Sequence, residues 1–292
     1  MKLKLSNALF LLLVFGASLA QADPYKPYVL ANTAPAAEVK AKLTAAGFVV
    51  VGEYKPYDGA EVIVVTSDAL KTEAAKSDRG GYGAVMRVAI STKNDGGTQV
   101  SYTNPAYWAN GYRMKNELGD VAATLKKALG FDKTFGSEDG LTKKKLRKYE
   151  YIRWVMPNFT DQVDLATYPS HKKAVKAIEA NLNADKGNTT FVYRVDIPGK
   201  DQTVFGMGLK GEHDGADKKA MATLSKFTGD PKHTAYMPYE ILVSGKKVEM
   251  LHGKFRIALS FPDLTMSQFL DIRNAPDGIE KAAKAVAKAA EK

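Results

Sequence analysis

The sequence predicts an α+β protein built from two repeated units. Three observations predict it. The order β-α-β-β-α-β-β-α is legible twice along the chain. Its hairpins are marked by turn chemistry such as Asn94-Asp95-Gly96-Gly97 and Pro198-Gly199. Its helical runs carry apolar residues at three- and four-residue spacing on one face.

In the first unit, Tyr28-Val29-Leu30-Ala31 forms a short strand. A helix follows with Val39, Leu43 and Ala46 on one face, stopped at Gly47. Phe48–Glu53 and Glu61–Thr66 are β-rich runs joined by Pro56-Tyr57-Asp58-Gly59. A short helix near Asp68–Ala75 precedes the strands Ala84–Ile90 and Gln99–Thr103. A helix with Val121, Leu125 and Leu129 on one face closes the unit near Gly130.

The second unit repeats the order. Tyr149–Met156 is expected as a strand, and Ser170 caps a helix with Val175, Ile178 and Leu182 on one face. Thr190–Ile197 and Thr203–Leu209 are strands, and Asp217–Lys226 is a lysine-rich helix. Tyr239–Val243 is expected to turn through Ser244-Gly245 into one long strand, Val248–Phe261. Ile279, Ala282, Val286 and Ala290 mark the closing helix. The runs Val100–Pro105 and Ile257–Pro262 are expected to be equivalent, each an apolar strand ended by a proline that cannot donate to a ladder. These boundaries divide the chain into 1–22, a first unit 23–132, a linker 133–146 and a second unit 147–292.

Residues 1–22 have the three parts of an export signal. Lys2 and Lys4 supply the charge, Leu9–Leu19 the apolar run, and Ala20-Gln21-Ala22 the small residues at a cleavage site before Asp23. The run is shorter than the roughly 20 residues a membrane span needs. The expectation is therefore a periplasmic chain of 270 residues, cleaved after Ala22, with no transmembrane segment left. Its length suits two domains. There is no cysteine, which excludes disulfides, thiolate metal sites, redox dithiols and lipid attachment through a thioether. The formal charge is +10, and removal of Lys2 and Lys4, with no acid among residues 1–22, lowers it by two to +8. In an exported protein that excess points away from nucleic acid, and toward an anionic small molecule, a membrane surface, an acidic periplasmic partner, or plain solubility.

The stretch Val100–Met114 (VSYTNPAYWANGYRM), with Tyr239–Ile272 including Phe255-Arg256-Ile257-Ala258 and Phe261-Pro262-Asp263-Leu264-Thr265-Met266, resembles the domain of unknown function 302 family. The resemblance covers roughly residues 27–130 and 147–290. It implies a TATA-binding-protein-like architecture, a curved antiparallel sheet with helices on one face, in each unit. It implies nothing about chemistry.

The sequence holds no GxSxG, no HExxH and no phosphate-binding GxxxxGK[ST]. The glycines of Gly206-Met207-Gly208-Leu209-Lys210-Gly211 lack the strand-turn-helix context of a dinucleotide site. Of the four histidines, His233 precedes Met237 by four residues, and Met250 stands two before His252. On a strand the latter pair would share a face. A thioether and an imidazole together suit copper or a haem axial position, although the same residues also suit ordinary packing. Tyr102, Tyr107, Trp108 and Tyr112, with Asn104, either line a shallow ligand site or tie the units together. Arg256, in an apolar run, must reach solvent or a carboxylate such as Glu240 or Glu249; an acid–base pair of Glu240 with His252 is the enzymatic alternative. The expectation is an exported binding or accessory protein. A ligand would bind through Asn104, Tyr107, Trp108, Arg256 and Glu240, and a metal through His233, Met237, Met250 and His252.

Overall fold

A computed structural model describes residues 24–288; the expected export segment lies outside them. The first unit comprises β1 (Tyr28–Leu30), α1 (Ala36–Ala45), β2 (Val49–Tyr54), β3 (Ala60–Thr66), α2 (Asp68–Ala75), β4 (Met86–Thr92), β5 (Thr98–Thr103), α3 (Pro105–Gly111) and α4 (Gly119–Leu129). β6 (Lys133–Phe135) and α5 (Lys143–Arg147) follow. The second unit comprises β7 (Val163–Thr167), α6 (His171–Asn183), β8 (Thr189–Asp196), β9 (Gln202–Leu209), α7 (Asp217–Thr228), β10 (Tyr239–Ser244), β11 (Lys247–Met250), α8 (Gly253–Ser260), α9 (Met266–Asp271) and α10 (Ala275–Ala287).

Two antiparallel sheets result, in the orders β2-β3-β4-β5-β1-β6 and β7-β11-β10-β9-β8. Read from the β2 and β8 edges, the first five strands correspond one to one, so the repeated order is repeated topology. Local chemistry sets many of the element ends. Ser67 and Ser170 accept from the backbone N–H groups of Leu70 and Lys173, and Pro105 occupies the first turn of α3, where no N–H is needed. No helix among the described residues is long and apolar enough to cross a membrane.

Four expectations are corrected. Tyr149–Met156 is not a strand; the first strand of the second unit is Val163–Thr167. The run Val248–Phe261 is not one strand, because β11 stops at Met250 and Gly253–Ser260 is a helix. The partner of β5 in the repeat is therefore β11, not Ile257–Pro262. Residues 133–146 are also more than a connector, since β6 pairs with β1 and extends the first sheet.

The units are interlocked by exchange. The 3-10 turn Gly80–Gly83, after α2, crosses to the second sheet, where the Gly81 N–H donates to Gln202 Oε1 at 2.9 Å. Its counterpart after α7, Thr234–Tyr236, crosses to the first sheet, where Ser91 of β4 donates to Thr234 Oγ1 at 2.7 Å. Gln99 adds a two-way bridge, donating to the Lys232 carbonyl and accepting from its N–H. At the free edges, β2 and β8 each carry a bulge, between Val50 and Gly52 and between Phe191 and Tyr193. A Cβ on Gly52 would collide with the Val192 carbonyl, so the two edges cover each other as closely as glycine permits. Gly52→Ala is expected to lose about 1–3 kcal/mol through overpacking. Urea unfolding checks this, and an unchanged midpoint would mean that the edges do not press together.

Candidate functional site

Several predicted residues meet at the centre of the molecule, between the sheets. Arg87 is the second residue of β4, and Glu240 is the second residue of its counterpart β10. The Glu240 carboxylate accepts from Arg87 Nη1 and from Arg256 Nε at 3.4 Å. Arg256 also donates to Ser260 Oγ and to the Tyr236 carbonyl, both at 2.6 Å. Both guanidiniums stand over the Trp108 ring, 4.9 and 4.7 Å from its centroid. Burial opposes the Arg256 charge, but Tyr112, Glu240, Tyr236 and Tyr239 outweigh it and hold the guanidinium above its ordinary value.

Arg256 thus meets its carboxylate from a helix rather than from the expected strand, and it is fully enclosed. The aromatic group is enclosed too. Tyr107 donates to the Leu259 carbonyl across the seam at 2.7 Å, and Trp108 Nε1 to the Pro27 carbonyl at 2.9 Å. Asn104 Nδ2 donates to the Lys26 carbonyl at 2.9 Å. Tyr107 thus ties the two units together, while Trp108 and Asn104 fasten α3 to the segment before β1 within the first unit. Sequence reasoning missed Arg87, although it stands in an apolar strand (Met86-Arg87-Val88-Ala89-Ile90) and presents the same anomaly as Arg256.

Of the metal candidates, His233 and Met237 flank the 3-10 turn Thr234–Tyr236, and Met250 and His252 stand between β11 and α8. His233 is buried against Tyr28, Phe135 and Phe261. His252 is half-buried and caps α8, its Nδ1 accepting from the Lys254 N–H at 3.2 Å, and burial with the Lys254 charge holds its pKa below the ordinary value against Glu280, Asp161 and Asp277. Met250 ends β11, so it does not share a strand face with His252, and both Met237 and Met250 are buried. No group of three His, Cys, Asp or Glu side chains among the described residues converges to hold a metal.

An accessible site lies instead at the seam. A cleft of about 530 Å³ opens between β6 of the first sheet and the ends of α7 and α8. Phe135, Phe227, Phe261 and Leu264 give it apolar walls, and Lys26 and Lys133 stand on its border. Its acid, Asp263, is already occupied by the Ser137 hydroxyl at 2.8 Å and the Glu138 N–H at 2.5 Å. His233 lines the cleft with its ring stacked on Phe261, 5.0 Å between centroids at 13°. The Ser260 backbone partly offsets the effect of burial on the ring, and Nδ1 has no partner among the described residues. Burial holds the imidazole neutral, with its pKa lowered to about 4. A neutral imidazole that carries its proton on Nε2 leaves Nδ1 as a lone-pair acceptor in an aromatic wall. Sequence reasoning named His233 but for another chemistry, because its ring neighbours come from three separate segments of the chain.

A second cleft, of about 380 Å³, contains Tyr54 and Asp217. Asp217 opens α7 and accepts from the Leu209 N–H at 2.9 Å. Burial raises its carboxyl to about 7, against the lowering effect of Leu209 and Tyr54.

Compared with protein-family models, curated proteins and solved structures, the chain has no match.

Proposed function

We propose that this is an exported, non-catalytic binding or accessory protein that takes a small amphipathic acid in the seam cleft. The observation that carries the reading is the buried, unpaired Nδ1 of His233 in an aromatic wall. A buried acceptor without a donor is costly, so a ligand hydroxyl or N–H that reaches Nδ1 as the His233–Phe261 wall parts gains a hydrogen bond. The apolar walls favour a flat hydrocarbon body. Lys26 and Lys133, facing one occupied carboxylate, favour an anionic end. An aromatic hydroxy acid has all three features, and 4-hydroxybenzoate is a suitable probe.

Calorimetry with 4-hydroxybenzoate is expected to show binding that His233→Phe weakens about tenfold, the worth of one hydrogen bond, while keeping the ring stack. Benzoate, which lacks the donor, should bind both forms equally. Undiminished binding of 4-hydroxybenzoate to the variant, or no binding at all, overturns the reading. Export belongs to the same proposal. It rests on Lys2, Lys4, Leu9–Leu19 and Ala20-Gln21-Ala22, and it is checked by mass spectrometry of secreted protein, expected to begin at Asp23. Membership of the domain of unknown function 302 family is likewise part of this reading, and it rests on the resemblance carried by Val100–Met114 and Tyr239–Ile272.

A further inference from the structure

Six large apolar side chains stand exposed among the described residues, and four of them belong to two adjoining segments. Trp154 and Val155 are 83% and 73% exposed in the loop before β7, and Met266 and Leu270 are 43% and 51% exposed on α9. Tyr151 joins the segments. Its ring stacks on Phe269 of α9, 5.2 Å between centroids at 25°, and its hydroxyl donates to the Leu264 carbonyl. Met266 and Leu270, four residues apart, share a helix face, while Phe269 turns inward. Trp154 holds a left-handed backbone, φ 66°, with its N–H on the Glu150 carboxylate at 3.0 Å. A bulky residue in that conformation is strained. The strain is spent on displaying an indole to water, where it contributes nothing to the core.

Four cations accompany this apolar tip. The Arg153 guanidinium lies 4.8 Å from the Trp154 ring centroid. Lys144, Lys145 and Lys148, on and just after α5, are exposed and have no carboxylate within ion-pair distance among the described residues. α5 is held against the loop through Arg113. Arg147 donates to the Arg113 and Met114 carbonyls, and Arg113 donates to Asn158 Oδ1 at 3.1 Å. Of the nearby acids, Glu150 accepts from the Trp154 N–H and Asp161 from the Asn158 N–H, while Asp271, next to Leu270 on α9, is exposed.

We infer that Trp154, Val155, Met266 and Leu270, bordered by Lys144, Lys145, Lys148 and Arg153, dock the protein on an anionic phospholipid surface. Indole rings partition to the headgroup level, and unpaired lysines beside them meet lipid phosphates. Four side chains are too few for a stable protein interface, which buries about 800 Å² per partner, but they suffice for shallow insertion at a bilayer surface.

The test uses the chain without residues 1–22, because Leu9–Leu19 would itself enter vesicles. The sequence has two tryptophans, and Trp108 is buried, so emission from an exposed indole reports on Trp154. Phosphatidylglycerol vesicles are expected to shift that emission to the blue and to sediment the protein at least about tenfold more strongly than phosphatidylcholine vesicles. Trp154→Ser with Val155→Ser, and separately Lys144→Glu with Lys145→Glu and Lys148→Glu, should each remove most of the sedimentation while leaving the melting temperature unchanged. Equal binding to both vesicle types, no binding to either, or full binding by the serine variant overturns the inference. Capture of a protein partner through the patch with no vesicle binding does so as well.

Discussion

Glu240→Gln is expected to destabilise the protein by about 3–5 kcal/mol, the cost of breaking a buried ion pair from one side. Glu240 is the one carboxylate that Arg87 and Arg256 both reach, and all three residues are buried. The amide keeps the shape and one acceptor but leaves two guanidiniums without a countercharge. Their remaining support includes the Trp108, Tyr236 and Tyr239 rings, the Tyr236 carbonyl and the Ser260 hydroxyl, and none of these is an anion. Because the contact joins β4 of one unit to β10 of the other, its loss should loosen the seam before either sheet. Replacing Arg87, Glu240 and Arg256 together by methionine is expected to recover most of the loss, since no charge then stays buried. Urea denaturation measures both. A loss below about 1 kcal/mol for Glu240→Gln, the worth of a surface pair, would show that water reaches the cluster.

Acid should reveal two buried groups that work against each other. Asp217 has a folded pKa of about 7 against an ordinary 3.8. Between those values the folded state keeps a proton that the unfolded chain has lost. Its contribution is therefore fully present below pH 3.8 and is lost as the pH rises through about 7. His233 has a folded pKa of about 4 against an ordinary 6.5. There the unfolded chain binds the extra proton, so its contribution is present above pH 6.5 and is lost as the pH falls through about 4. Asp217 is worth roughly 4 kcal/mol and His233 roughly 3 kcal/mol, and over the shared window they nearly cancel. Asp217→Asn keeps the acceptor for Leu209 and should expose the histidine alone. Relative to wild type, the variant loses about 3 kcal/mol more as the pH falls from 6.5 to 4. His233→Phe should show the opposite difference. Flat difference curves for both variants would mean that neither group is desolvated.

The local part of the architecture was legible where short-range chemistry decides it. Ser170 capped its helix, the Asn94–Gly97 turn closed its hairpin, and the stripes Val121–Leu125–Leu129 and Val175–Ile178–Leu182 faced the core. Two misreadings have a shared physical cause. In α8 every residue except Lys254 is buried, so the helix has almost no polar stripe, and an apolar run without one reads equally as a strand. In Tyr149–Met156 the aromatic, β-rich composition suggests a strand, but the tyrosines serve as anchors. Tyr149 donates to the Ala258 carbonyl and Tyr151 to that of Leu264.

By itself the sequence determined the α+β class, the doubled order of elements and the absence of thiol chemistry, because turns, caps and periodic stripes act over a few residues. Only the tertiary structure decided the rest. It joined Arg87 to a carboxylate 153 residues away, enclosed Trp108 and Tyr107 at the seam, and left His233 with a free nitrogen beside a cleft. It also placed Trp154 beside the exposed face of α9. The reason is the exchange of 3-10 turns between the two units. Each unit completes its core with a segment of the other, and no local pattern records which distant residue will arrive.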